Sequence, residues 1–413
     1  MGCTEPVAVA LACSKAMKLG CHDDISSIKI TVSPNIYKNG LSVGIPHTKE
    51  VGLLVAGAMG ALGGDSDLGL NVLKLSDSKT VKDAILLVDD KKVHLAIKDT
   101  DEKIYIDVIL ESAKGKSQVI IQGSHTNYIL LKLNETIILD KAKSNDSATR
   151  DNTVSSMRIR DIIEEIESME YADLSFLIEG LKMNEKVADF GLNQKRGIGV
   201  GYTIKKGIET GNISEDLTSK AMYMTAAGAD ARMSGVTLPV MSSSGSGNNG
   251  LTAILPLVAY MKMYDVSGEK ISKALAISHT INCVIKNHIG SLSALCSCGI
   301  SAATGASAAI TWLKNGSKEQ IEGAINNMIA NVSGMICDGA KDGCALKLAT
   351  AASTSVYSSI LALNGSIVQP RNGIIGNTVE ESIKNLGLIS EKGMKITDHV
   401  ILDLMKDMDE RCC

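Results

Sequence analysis

The sequence predicts an α+β protein: a large all-helical domain that carries a cluster of cysteines, plus a smaller inserted α+β domain with an antiparallel sheet. Three observations predict it. Between residue 25 and about residue 133, short apolar runs alternate with polar positions and are divided by turn residues. From about residue 151 onward, apolar positions recur at helical spacing, and several segments are apolar nearly all round. Aromatic residues are only 3% of the 413, while glycines number 38, so the core is built from small aliphatic side chains that let helices approach closely.

The elements follow in order. Residues 4–20 have the marks of a helix, with Thr4 as cap, Glu5 and Pro6 in the first turn and Gly20 at the end. Residues 27–33 alternate, with Ile28, Ile30 and Val32 on one face. Residues 52–62 are small and apolar and end at Gly63-Gly64, as a helix does. Strands are expected over 93–98, 104–110, 117–122 and 128–133, with turns at Lys103, Lys114-Gly115-Lys116 and Asn134-Glu135. A polar stretch, 141–153, has the composition of a linker. Helices are expected over 161–169, 174–184, 217–230, 250–264, 270–286, 291–313, 319–332, 343–363 and 378–387, with glycine-rich breaks at 197–201, 242–250 and 336–343. The domain division is then 1–24, a helix packing with the helical domain; 25–150, the α+β domain; and 151–413, the helical domain.

Composition excludes several functions. The net charge is -4 and no basic stripe is present, which argues against nucleic acid or an anionic membrane as partner. No run of about 18 apolar residues predicts a membrane span, and no basic-then-apolar leader is present. Pro6 stands where a myristoylation motif needs Ser or Thr. A cytoplasmic protein is expected, with a small molecule as partner; a homo-oligomer stays open.

Ten cysteines are present, and none lies between Cys21 and Cys283. Secreted disulfide scaffolds are short and cysteine-dense throughout, so clustered thiols here point to metal or catalysis. Cys13, Cys21 and Cys283 are taken as small buried hydrophobes. Cys337 and Cys344 flank a polar, glycine-rich loop, with Cys344 at a helix start, and Cys296 lies in an apolar helical region. A loop can curl around a metal, and a helix N-terminus favours thiolates. Three thiolates suffice for a 4Fe–4S cluster with one iron open. Ferredoxin spacing is absent, and Cys296-Ser297-Cys298 is too short for an ordinary zinc knuckle. Spacing alone leaves iron–sulfur, zinc and plain burial all open. Cys3 precedes a helix N-terminus, where a thiol becomes a usable base; an unimportant terminal cysteine is the plainer alternative.

Five motifs in order resemble one family: Gly-Cys-Thr-Glu-Pro at 2–6, Ser-Pro-Asn-Ile-Tyr-Lys-Asn-Gly at 33–40, Gly-Ser-His-Thr-Asn at 123–127, Ser-Ser-Ser-Gly-Ser-Gly-Asn-Asn-Gly at 242–250 and Gly-Met-Ile-Cys-Asp-Gly-Ala-Lys at 334–341. Together they are similar to the L-cysteine desulfidases, which are related to the iron–sulfur L-serine dehydratases through the α-chain domain of the latter. The resemblance implies a 4Fe–4S cluster on Cys296, Cys337 and Cys344, Cys3 as proton acceptor, no pyridoxal phosphate, and β-elimination from L-cysteine or, as the rival, L-serine. A non-catalytic cluster-binding or redox-sensing protein is the rival of another class. Members of that family carry a further helical segment before the first motif, so a truncated or late-assigned start is expected.

For substrate binding, the 242–250 loop ahead of a helix offers an anion cradle, with Ser244, Ser246 and Asn248 as candidates. Thr4, His125, Thr126 and Asn127 join them through their motifs. Asn35, Lys38, Asn39, Arg232 and Lys341 are weaker candidates. Cys412 and Cys413 are taken as a tail.

Overall fold

A computed structural model describes residues 4–20, 24–46, 48, 50–141, 153–290 and 294–410. The N-terminal segment forms α1 (Thr4–Gly20), and the alternating run after it forms β1 (Ile25–Val32), with Ile28, Ile30 and Val32 all buried as expected. The chain then runs through α2 (Pro34–Gly40), α3 (Leu53–Gly63) and α4 (Ser78–Asp89) before returning to the sheet. There it adds β2 (Val93–Ile97), β3 (Tyr105–Ser112), β4 (Gly115–Gln122), β5 (Tyr128–Leu133) and β6 (Thr136–Asp140), in the spatial order β2-β1-β3-β4-β5-β6. From β1 through β6 each pairing is antiparallel, but β1 and β2 run parallel. The helical excursion between them supplies the crossover that a parallel pair requires. The sheet is therefore mixed, mostly antiparallel.

One expectation needs correction. α1 packs not with the helical domain but with the sheet and α3. Its residues Val7 to Ala16 share one core with Ile30, Ile106, Val108 and Val119, and Ser117 Oγ donates to the Ala16 carbonyl at 2.8 Å. The physical reason is close approach. A methyl group at Gly60 of α3 would lie 2.2 Å from the Ala10 carbonyl oxygen, so only glycine lets the two helices touch there.

The second unit is helical: α5 (Ile159–Ser168), α6 (Tyr171–Leu174), α7 (Leu177–Asn193), α8 (Val200–Glu209), α9 (Leu217–Met233), α10 (Gly247–Met261), α11 (Gly268–Ile289), α12 (Ala303–Leu313), α13 (Lys318–Val332), α14 (Cys344–Leu363), α15 (Val379–Leu388) and α16 (Met394–Glu410). α10 and α12 are buried almost throughout, as central helices must be, and α5 to α15 close over one large aliphatic core. Side-chain caps define several starts: Asp216 with Ser219, and Ser317 with Gln320, form reciprocal capping boxes. α16 bridges the two units, since its Leu402 is buried in the core of the sheet unit.

The helix expected over 291–313 is broken. Residues 291–293 lie outside the described residues. Leu295 then pairs with Ile336 in an isolated antiparallel bridge, a wide helical turn spans Cys298–Ala302, and α12 follows. Most of the polar 141–153 stretch is also outside the described residues. Among those described, no helix is long and apolar enough to cross a membrane.

Candidate active site

The break before α12 positions the cysteines. Cys296 lies just ahead of the helical turn and not inside a helix as expected: its N–H donates to the Met335 carbonyl at 2.8 Å, and the Cys337 N–H donates to the Ala294 carbonyl at 2.6 Å. These two bonds pin Cys296 beside Cys337. Cys344 begins α14, seven positions after Cys337, and the loop between folds back so that its Sγ lies 3.7 Å from the Gly339 carbonyl oxygen. The three thiols share one place: Cys337 feels the charge of Cys296, and Cys344 feels those of Cys296 and Cys337. Cys296 is buried; Cys337 and Cys344 are half-buried.

Electrostatics explains what such a trio requires. A hydrogen bond with the Cys298 thiol, followed by burial, pushes the Cys296 thiol far up; burial and then Cys296 push Cys337 up; burial raises Cys344, with smaller contributions from Cys296 and Cys337. Lys347 opposes all three shifts, and Lys38 opposes that of Cys337. Desolvated thiols that repel one another as anions call for a cationic centre between them. Among the described residues, no three His, Cys, Asp or Glu side chains meet closely enough to chelate one ion. A four-iron cluster is larger than an ion, so its ligands stand farther apart, and this thiol set fits it in donor chemistry.

The loop around the thiols is held by charge. Asp338 takes both Lys341 and Lys347, and Lys347 Nζ also donates to the Ile336 carbonyl at 2.9 Å. Lys341 is thus tied to its own loop. Lys38 reaches in from α2: its side chain is 2% exposed, and its Nζ donates to the Cys337 carbonyl at 3.3 Å and pairs with Asp398 of α16. Gly339, at φ 96°, lets the loop turn against α2; a methyl group there would meet the Lys38 carbonyl oxygen at 2.2 Å. Asn39 Nδ2 donates to the Asn35 carbonyl at 2.9 Å.

The 242–250 loop also arrives here. Ser246 caps α10 and its Oγ lies 3.9 Å from Cys298 Sγ; Asn249 Nδ2 donates to Ser297 Oγ at 3.0 Å. Ser244 adopts a positive φ of 47°, its carbonyl accepts from Lys286, and its hydroxyl accepts from Asn282 at 3.4 Å. Asn248 Oδ1 accepts from Arg232 at 2.9 Å. Ser243 Oγ and His279 Nδ1 stand 2.8 Å apart, and burial pushes the His279 pKa down to about 4, so the imidazole is neutral. His279 carries no motif of its own, and no local pattern marks it as part of the site.

The remaining candidates gather elsewhere. His125 lies at the β4–β5 turn near Glu5 at the start of α1. Burial lowers its pKa, Glu5 opposes that, and Nε2 is buried without a hydrogen bond. Thr4 opens α1 and is half-buried. Asn127 braces the turn, with Nδ2 donating to the Gln122 carbonyl at 3.0 Å, and Thr126 is exposed. Cys3, Cys412 and Cys413 lie outside the described residues, as does Cys21. Cys13 is buried as expected, and Cys283 is half-buried.

Asp230 supports the site from α9. It accepts the Gly201 N–H at 3.0 Å at the start of α8, while Oδ1 has no hydrogen bond. Burial raises its pKa from 3.8 to about 6; N–H groups of residues 199–201 oppose this and Asp342 adds to it. The folded protein therefore holds this proton more tightly than the unfolded chain. Its contribution to stability is full below about pH 4 and is lost as pH rises through about 6, an effect on the order of 2–3 kcal/mol. Urea unfolding between pH 4 and 7 should show that decline in the parent and a flatter profile in Asp230→Asn; identical profiles would remove Asp230 as the cause.

The family model described as serine dehydratase alpha chain matches residues 77–403. A UPF0597 protein of Alkaliphilus oremlandii is 53% identical, covering 99% of this chain and 95% of its own length. Another, from Clostridioides difficile, is 50% identical over 99% of this chain and 97% of its own. One from Clostridium tetani is 40% identical over 98% and 95% respectively. The span of the family match takes in all three clustered thiols, the 242–250 loop and nearly all of the helical unit, and the chain belongs to the serine dehydratase alpha-chain family.

Proposed function

We propose that the chain is a 4Fe–4S-dependent β-eliminating lyase that converts L-cysteine to sulfide, ammonia and pyruvate. The observation that carries this reading is the gathering of Cys296, Cys337 and Cys344 at one bridged loop, in a chain of the serine dehydratase alpha-chain family. Those three thiolates would hold the cluster. Bound there, it would supply one iron without a protein ligand, a Lewis acid for the departing sulfur.

The chain's own residues do the rest. Cys3, which precedes α1 in the sequence, takes the Cα proton as a thiolate. The C–S bond breaks as the Cα–Cβ double bond forms, and the sulfur leaves with the bonding pair. The resulting aminoacrylate tautomerises, and one water hydrolyses it to pyruvate and ammonia. The start of α10 directs its free N–H groups toward an anion, while Ser246 and Asn248, already engaged with the cap and with Arg232, keep that loop rigid. No pyridoxal phosphate enters the scheme. L-Serine would follow the same steps with hydroxide leaving.

The test is iron and sulfide content together with pyruvate release under argon, on full-length protein reconstituted with iron and sulfide. Faster pyruvate formation from L-serine than from L-cysteine at equal concentration would select the dehydratase. A cluster without pyruvate from either would select a redox or cluster-binding role. Cys3→Ala should keep iron and sulfide while losing about a thousandfold or more in turnover. Equal turnover would take Cys3 out of the mechanism.

A further inference from the structure

A cavity of about 510 Å³ opens where the two units meet, walled by α2, the loop before β3, the end of α11, the helical turn at Ile389–Gly393 and α16. It backs onto the thiol site. Ala294, whose carbonyl holds the Cys337 N–H, lines it, and so does Lys38, which holds the Cys337 carbonyl. Its size suits a small metabolite.

The charges on its walls are not all matched. Lys38 is paired with Asp398, and Lys395 with Asp101 at 2.8 Å. That leaves Lys103 and Glu391. Both line the cavity and Lys103 feels the charge of Glu391, yet neither side chain makes an ion pair or hydrogen bond among the described residues. Partial desolvation lowers the Lys103 pKa, Asp398 opposes this and Lys38 adds to it. Gly290, at φ 80°, gives the Lys103 ammonium its room: a methyl group on Gly290 would stand 2.8 Å from Nζ.

An unpaired cation and an unpaired anion facing one small space match a zwitterion. We propose that this cavity binds a free α-amino acid, with Lys103 taking its carboxylate and Glu391 its ammonium, and so delivers substrate to the wall behind Cys296 and Cys337. The proposal rests on the lyase reading only for the word substrate; amino-acid binding stands without it.

The test uses the full chain reconstituted under argon and L-alanine, which has both charged groups and no β-substituent to lose. L-Alanine should bind in calorimetric titration, about fivefold or more weakly to Lys103→Met and to Glu391→Gln. Propionate, the acid alone, should lose affinity only in Lys103→Met; ethylamine, the amine alone, only in Glu391→Gln. That crossed pattern is one a merely structural role does not produce, and unchanged melting temperatures check the fold. Absence of L-alanine binding to the parent, or affinities unchanged within about twofold in both variants, overturns the proposal. Pyruvate release with unaltered kinetics in both variants removes the cavity but keeps the lyase. Crossed binding in a protein that releases no pyruvate keeps the cavity and removes the lyase.

Discussion

Replacing Cys337 by alanine is expected to give a folded protein that takes up little or no iron and sulfide and has lost about a thousandfold or more of its pyruvate-forming activity. The large effect comes from chemistry, not stability. Cys337 is half-buried in a loop, so deleting its sulfur removes little packing, on the order of 1 kcal/mol. Two thiols cannot replace three in holding a cluster, and the charge balance at the loop fails with the third. Cys283→Ala is the matched control: it is also half-buried, it lies within α11, and no bond ties it to the Cys296–Cys337 bridge. It should keep iron, sulfide and activity. Iron analysis, the visible spectrum and circular dichroism of both variants decide the matter. A Cys337→Ala protein that remains brown and active would overturn the ligand assignment.

Much of this arrangement was legible in the sequence, and what was not has physical causes. β1 announced itself because one face is buried and the other is not, which forces alternation at Ile28, Ile30 and Val32. α1 was recognised as a helix but assigned to the wrong unit: Val7 to Leu11 are buried without interruption, and a helix apolar all round states that it is covered, not by what. α4 is legible too, since Val81, Ala84, Ile85 and Val88 recur at helical spacing and turn one face inward, although only Ala84 is fully buried. The parallel β1–β2 pair is not, because periodicity marks a strand but not which neighbour it joins or in which direction. Residues 294–302 keep helical apolar spacing, but their backbone is captured by Met335 and Cys337, a long-range pairing that no local pattern encodes. The thiols themselves were readable by type and motif. Asp398 was not. It is one charge among many in a polar helix, and only the tertiary structure sets it against Lys38.

That pair makes the second large effect. Lys38→Met should lower stability by about 3 kcal/mol and cut cluster uptake, although Lys38 is no thiol and no base. Its ammonium ties three segments that are far apart in sequence: α2, the Cys337 carbonyl and Asp398 of α16. Removing it strips Asp398 of its cation. Asn35 still donates to that carboxylate at 3.3 Å, and a quarter of the Asp398 side chain meets solvent, which keeps the loss toward the low end for a broken buried pair. The Cys337 carbonyl loses a donor at the same time, so the loop that presents the thiol loosens where it meets the sheet unit. Asp398→Asn alone should cost less, because Lys38 keeps the carbonyl. The double variant should be less destabilised than the sum of the two, by roughly 1–2 kcal/mol, because the unpaired charge is then gone from both sides. Urea unfolding of the four proteins, with iron content measured on each, separates the outcomes. Strict additivity would show that the ion pair contributes nothing of its own. Full iron uptake by Lys38→Met would show that the sheet unit does not hold the cysteine loop in place.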